Sequence, residues 1–357
     1  MEKLKTAIIG LQHLHPVSYL PHIIACNLDL IAISDDNKSL LEKRKTDFPS
    51  NVKYYSDYKN LIDSEKIDIV FIFSPLYQCP DVVEHAACKG INIIIEKPMA
   101  ASYEGGLKIQ KACTKNNVIS SIPYVWRFHF ASREIKRILD SGYLGEIKAL
   151  EGRYIAGRIN RYIEADSSWV IEKKKSGGGA MWNLCSHWID LFRYFMNFPK
   201  AERVYAEYSN ISDNIDVEEN ASGIIKFSNG AVATLNAGYT LPTSFPNGRD
   251  LHINIRGSLG SLTWNPVFEG SEDEVILCSD HPDINIAPNR HIRVILKNVT
   301  GYFGIMGFEF VKEFVDSIQT KTKPLVSTKE AVEVLQITEA LNKSAETGSA
   351  IKIEELS

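Results

Sequence analysis

The chain has 357 residues, 44% of them hydrophobic, which is enough for two buried cores rather than one. A formal net charge of −4 offers no general attraction to nucleic acid or to anionic membrane, and no apolar run reaches the ~18 residues of a membrane span. The six cysteines form no Cys-x-x-Cys pair and Met1–Thr6 shows no signal-peptide pattern, so the expectation is a cytoplasmic protein with free thiols, no metal site and no disulfides.

In chain order, Lys5–Ile9 is predicted as a strand, followed by a turn at Gly10 and a helix from Pro16, whose fixed φ suits a first helical position. Strands at Leu30–Ser34, Ile67–Phe73, Ile91–Ile95 and Val118–Ile122 then alternate with helices at Ser39–Asp47, Tyr58–Ile62, Pro80–Lys89 and Ser102–Asn116. Such alternation is the signal of a parallel sheet, and the nearly continuous apolar run of Ile67–Phe73 suits a strand buried on both faces. Beyond it, Ala131–Asp140 reads as a helix, Ile147–Tyr154 as a strand and Trp188–Met196 as a helix. From Ala201 to Lys297 successive strands are expected, with Asn229-Gly230 as a two-residue hairpin turn. Helices over Phe308–Gln319 and Lys329–Glu346 close the chain. The fold class is therefore α/β. A doubly wound parallel sheet of Rossmann type occupies 1–122, and an α/β domain with a large, mostly antiparallel open sheet occupies 123–357.

Three features of the first half point to a dinucleotide. A strand, a glycine and a helix start present backbone N–H groups to an anion. The usual fingerprint places glycines at its first, third and sixth positions. Here Gly10-Leu11-Gln12-His13-Leu14-His15 keeps only the first, and each added side chain leaves less room for a pyrophosphate. Asp35 lies 25 positions past Gly10, where a ribose-binding carboxylate belongs. With Asp36 behind it and no arginine alongside, it favours NAD over NADP. The plainer alternative for Asp35 is a cap on the next helix. Third, Glu96-Lys97-Pro98 follows the strand that ends at Ile95, at the sheet edge where open α/β folds bind ligands.

With these residues in place the chain resembles the Gfo/Idh/MocA oxidoreductases (glucose-fructose oxidoreductase, inositol dehydrogenase and their relatives). The resemblance rests on Glu96-Lys97-Pro98, Tyr124–Phe128, Ser141–Ile147, Gly177–Asp190 and the closing helix pair, Phe308–Gly348. It implies hydride transfer between a nicotinamide and a carbohydrate-like hydroxyl or carbonyl. It also implies a homodimer or homotetramer formed through the C-terminal sheet. Lys97 and His187 match the family's catalytic lysine and histidine, and Asn183 stands where an aspartate is usual. The expected cofactor set is Gly10, Gln12, His13, Leu14, Asp35, Ser74, Pro75, Glu96 and Lys97.

A histidine suits removal of a hydroxyl proton near neutral pH, and a lysine cation suits the alkoxide that forms. Asn183 would orient substrate or His187. Arg127 and Trp169 are candidates for the substrate pocket. Against these stand plainer readings: a buried-helix histidine for His187, packing for Trp169, and an ion pair for Arg127. His13, His15 and His22 read as surface and loop residues, because no Cys or carboxylate joins them at ligand spacing. Lys173–Lys175 reads as a solvated loop or as a steering patch for an acidic substrate. The leading function is an NAD-dependent dehydrogenase or reductase of a sugar, polyol or nucleotide-sugar. The alternatives are a non-catalytic cofactor-sensing regulator and an NAD-assisted glycosidase.

Overall fold

The computed structural model describes residues 3–246, 248–267 and 271–356; positions 247 and 268–270 of the expected strand run lie outside the described residues. The chain forms two compact units. The first takes the chain up to Pro123 together with Asn160–Gly177 and Val299–Leu335, so it draws on two segments that a division into 1–122 and 123–357 places elsewhere.

In the first unit β1 (Lys5–Ile9), α1 (Pro16–Ala25), β2 (Asp29–Ser34), α2 (Lys38–Arg44), β3 (Lys53–Tyr55), α3 (Tyr58–Ser64), β4 (Ile69–Ile72), α4 (Cys79–Cys88), β5 (Asn92–Ile95), α5 (Tyr103–Lys115) and β6 (Ser120–Ser121) follow in turn. The six strands form one parallel sheet of order β3-β2-β1-β4-β5-β6. Every residue of β4 is buried, and each such isoleucine, valine or phenylalanine contributes roughly 1.5–3 kcal/mol of transfer free energy. Pro16 stands at the first helical position of α1, where its missing N–H costs nothing. The last strand is shorter than the Val118–Ile122 expected: only Ser120 and Ser121 pair with β5.

The second unit contains α6 (Phe130–Asp140), β7 (Ile147–Gly157), α7 (Ser186–Phe195), β8 (Ala201–Ser209), β9 (Asn220–Phe227), β10 (Val232–Leu241), β11 (Arg249–Gly257), β12 (Gly260–Trp264), β13 (Glu272–Ser279) and β14 (Asn289–Ile295). Helix α8 (Gly304–Thr320) returns to the first unit, α9 (Thr328–Thr347) runs through the division, and β15 (Ile351–Lys352) ends in the second. The nine strands form one sheet of order β14-β13-β12-β11-β7-β10-β9-β8-β15, antiparallel except where β7 meets β10. Burial alternates along β7 and β9, as it must when only one face is covered. Trp264 of β12, Trp188 of α7 and Trp126 are all buried, with ring centroids of Trp126 5.1 Å from Trp188 and 5.8 Å from Trp264. The β9–β10 hairpin is one residue longer than the two-residue turn expected. Phe227 N–H donates to the Ala231 carbonyl (2.9 Å) around Ser228-Asn229-Gly230, and Gly230 takes φ +88°. A three-residue loop with glycine in the left-handed region uses the same dipeptide as the shorter turn.

Candidate cofactor and active site

The fingerprint loop is built by close backbone approach. Gly10 has φ +94°, and a Cβ there would press on Ser74 N and lie 2.6 Å from the Phe73 carbonyl carbon. Gly10 N–H donates to the Ser34 carbonyl (2.8 Å), which ties the end of β1 to the end of β2. Asp35 is buried and accepts from Leu11 N (2.6 Å), Asn37 N (2.8 Å) and Gln12 Nε2 (3.1 Å). It does not cap α2. That cap is Asn37, whose side chain accepts from Leu40 N. Burial pushes the Asp35 carboxyl up, and the two backbone N–H groups oppose the shift. Gln12 also reaches Asp36 (2.8 Å), so the side chain at the third fingerprint position turns toward the carboxylates. Asp35, Asp36, Gly10, Gln12, Ser74 and Pro75 all border a cleft of about 280 Å³. Leu14 sits half-buried in the same loop. Leu76 and Cys79 are core residues, and burial raises the Cys79 thiol to about 12.

Three side chains read as surface or loop residues are in fact interior or close to it. His22 is fully buried and its Nε2 bonds the Tyr302 carbonyl (2.8 Å). His13 is 8% exposed, with its ring 4.5 Å from the ring of His15 and 6.0 Å from that of Trp169. A carboxylate does join them: Glu96, at the end of β5, lies with Oε2 3.3 Å from His15 Nδ1. The separation along the chain hid this meeting, because β5 brings Glu96 back beside a loop some eighty residues earlier. Burial and the neighbouring His15 hold the His13 imidazole down at about 3. Burial raises the Glu96 carboxyl, opposed by His13 and Lys97. Lys97 is buried beside them, its N–H donating to Glu96 Oε1 (3.0 Å), and the Lys97–Pro98 peptide is cis. Trp169 lies over the loop, its Nε1–H donating to the Gln12 carbonyl. Lys173–Ser176 forms a short helical turn, with Lys175 paired to Glu172 (2.8 Å).

In the second unit a π-helical turn, Met181–Cys185, leads into α7, a departure from α-geometry that recurs at functional sites. Glu218 organises it, accepting from Gly179 N (2.7 Å) and Met181 N (2.8 Å). A Cβ on Gly179 would collide with the Glu218 carbonyl, so the glycine run is required here by backbone contact. His187 is buried, stacked on Tyr154 (5.8 Å, 14°) and edge-on to Tyr124 (6.0 Å). Asn183 Nδ2–H donates to the Tyr239 hydroxyl (2.8 Å). Arg127 does not line an open pocket. It is wholly buried, and its Nε and NH2 bind both oxygens of Asp190 (2.8 and 2.5 Å). Glu218, Tyr154, Tyr239 and Tyr302 were missed from sequence because none stands in a motif, each being brought in from a distant element.

Comparison with known proteins adds to this geometry. Residues 4–124 match a family model described as an oxidoreductase family with an NAD-binding Rossmann fold, and residues 132–263 match the Gfo/Idh/MocA C-terminal domain. The chain belongs to the Gfo/Idh/MocA oxidoreductases. As a member of that family it carries an NAD-binding Rossmann domain in its first half. Levoglucosan dehydrogenase of Pseudarthrobacter phenanthrenivorans is 26% identical over 64% of this chain and 63% of its own length. Myo-inositol 2-dehydrogenase of Thermotoga maritima is 23% identical over 92% of both chains. Among solved structures, an oxidoreductase from Agrobacterium radiobacter in complex with NAD+, L-tartaric acid and magnesium superposes with a TM-score of 0.82 at 17% identity, covering 100% of each chain. That likeness shows the fold. No helix among the described residues is long and apolar enough to cross a membrane.

Proposed function

We propose that this protein is an NAD-dependent dehydrogenase or reductase that moves a hydride between the nicotinamide and a hydroxyl or carbonyl of a sugar, polyol or nucleotide-sugar. The observation that carries the reading is the cleft at the carboxyl ends of β1 and β2. It is walled by Asp35 and Asp36 and floored by Gly10, where a Cβ would strike Ser74. Two carboxylates accept from ribose hydroxyls and repel a 2′-phosphate, which favours NAD over NADP. Gly10, Gln12, His13, Leu14, Asp35, Ser74, Pro75, Glu96 and Lys97 would hold the cofactor, which when bound supplies or accepts the hydride.

Of this chain's own groups, Lys97 carries the cation that stabilises a developing alkoxide. His187 takes the hydroxyl proton at an imidazole fixed between Tyr124 and Tyr154. Asn183, held by Tyr239, orients the substrate or His187 by hydrogen bonding. Support for a carbohydrate-like substrate comes from relatives named for levoglucosan, D-xylose and myo-inositol. The open face of the nine-stranded sheet, with Ile224 exposed on β9 and Ile295 on β14, supports assembly into a homodimer or homotetramer. The free thiols of all six cysteines support a cytoplasmic location.

A panel of sugars, polyols and nucleotide-sugars followed at the NADH absorbance, and repeated with NADP, tests the reading. Turnover with NAD that falls at least ~100-fold in Lys97→Met and in His187→Asn, with folding retained, is the expected result. Turnover unchanged in both variants would refute the site. NADH binding with no turnover on any substrate would favour a cofactor-sensing protein instead, and release of a leaving group without net NADH would favour an NAD-assisted glycosidase.

A further inference from the structure

We infer that His13, His15 and Glu96 form a binding site for a divalent transition metal ion, with two imidazoles and one carboxylate as ligands. One ligand atom from each residue lies within 4.8 Å of the others, and His15 Nδ1 already stands 3.3 Å from Glu96 Oε2. Metal bonds of ~2.0–2.2 Å set neighbouring ligand atoms roughly 3.3 Å apart in a tetrahedral site. With every separation within 4.8 Å, the ligand atoms must close by at most about 1.5 Å to reach that spacing.

The donors are held in advance by partners of their own. Glu96 Oε1 accepts from the Lys97 amide, while Oε2 lies 3.3 Å from His15 Nδ1 and the Tyr302 side chain also bonds the carboxylate. The His13 ring lies between Phe73 (6.2 Å) and Trp169 (6.0 Å), and the His15 ring packs on Tyr302 (4.5 Å). Fixed orientation of this kind is what metal ligands ordinarily receive from their surroundings. Mixed imidazole and carboxylate donors suit zinc, cobalt, nickel or iron, whereas magnesium and calcium ask for oxygen alone. Three protein ligands leave coordination positions for water or a substrate oxygen. Two features set a limit on affinity. The His15 amide donates to His13 Nδ1 (3.2 Å) and must yield if that nitrogen is taken, and Lys97 places a positive charge nearby.

The test uses full-length protein stripped with a chelator and titrated with Co2+ or Zn2+ alone. One equivalent bound, a visible Co2+ spectrum, and at least ~10-fold weaker binding in each of His13→Asn, His15→Asn and Glu96→Gln are expected. His252→Asn, on an exposed histidine bonded to Asn265, should bind as the parent does. No binding of either ion, or equal binding in all three ligand variants, would overturn the inference. If a variant fails to fold, Cu2+ bound to the parent protein with 15N-labelled histidine decides the matter. Electron-spin coupling to two imidazole nitrogens supports the site, and coupling to none refutes it. Because these readouts need no turnover, failure of the hydride-transfer reading leaves them intact.

Discussion

Replacing Gly10 by alanine tests whether the cofactor rim depends on backbone contact. Two costs follow from the structure. At φ +94° an L-residue is strained by roughly 1–2 kcal/mol. The new Cβ would lie 2.6 Å from the Phe73 carbonyl carbon, against about 3.5–4.0 Å for ordinary contact. Its neighbours are backbone atoms held in place, since Phe73 N–H donates to the Ile9 carbonyl at 2.7 Å. Relief requires β1 and the Ser74 turn to separate, an overpacking cost of ~1–3 kcal/mol with about 1 kcal/mol more if the Phe73–Ile9 bond is lost. The total, roughly 3–6 kcal/mol, is a large fraction of a stability of ~5–15 kcal/mol. Gly142 is the control: its φ is +74° but nothing lies within 4 Å of an added Cβ, so Gly142→Ala bears the strain alone. Urea unfolding of both variants, with an NADH fluorescence titration, separates the two costs. Gly10→Ala should lose at least ~2 kcal/mol more than Gly142→Ala and bind NADH about 10-fold more weakly. Equal losses, or unchanged NADH affinity, would refute the reasoning.

Asp35→Asn should weaken NADH binding by about 1–2 kcal/mol, raise the relative affinity for NADPH, and loosen the Leu11 amide; paired titrations with the two cofactors check this, and an unchanged affinity ratio counts against a ribose role. Arg127→Met leaves Asp190 buried without its bidentate partner and should cost ~3–5 kcal/mol in unfolding experiments. A variant with parental stability and a raised KM would restore Arg127 to the substrate pocket. In the second unit, Asp273 is buried and pushed up to about 6, while burial holds His129, 3.4 Å away, at about 3. Because Ala131 N–H donates to His129 Nδ1, the Nε2–H faces Asp273. The folded state keeps the Asp273 proton that the unfolded chain releases near 3.8, so this group's contribution is largest below about pH 4 and is lost as pH rises through 6. Asp273→Asn should therefore gain stability relative to the parent by about 2 kcal/mol between pH 4 and 7.5, and a pH-independent difference in urea midpoints would dismiss the assignment.

Much of the first unit was legible because its signals are local. The apolar run at Ile67–Phe73 contains a strand that has no other way to be buried, and Asp35 follows β2 where a carboxylate meets the Gly10 loop. What escaped prediction depends on residues far apart in sequence. The burial of His13 comes from Trp169, which sits in a segment that folds with the first unit after the chain has entered the second. Glu96 reaches His15 across the sheet edge, so no ligand spacing could announce the pair. Asn183 and His187 were placed by family likeness, but the π-turn between Met181 and Cys185 depends on Glu218, a residue in no motif.

The fingerprint loop shows why glycine can be lost at some positions and not at others. Gly10 has no room for a Cβ, because Ser74 occupies that space. His15 adopts φ −98°, which any residue accepts, so nothing in the backbone calls for glycine there. Its side chain is accommodated instead by Tyr302 and Glu96. Gln12 likewise directs its amide to Asp35 and Asp36 rather than into the turn. The departures from the pattern therefore fall where the backbone permits them and where new partners receive the side chains. A loop that has kept its one sterically required glycine retains the dinucleotide rim. One of the positions it has released, His15, brings a second imidazole beside His13 to the buried carboxylate of Glu96.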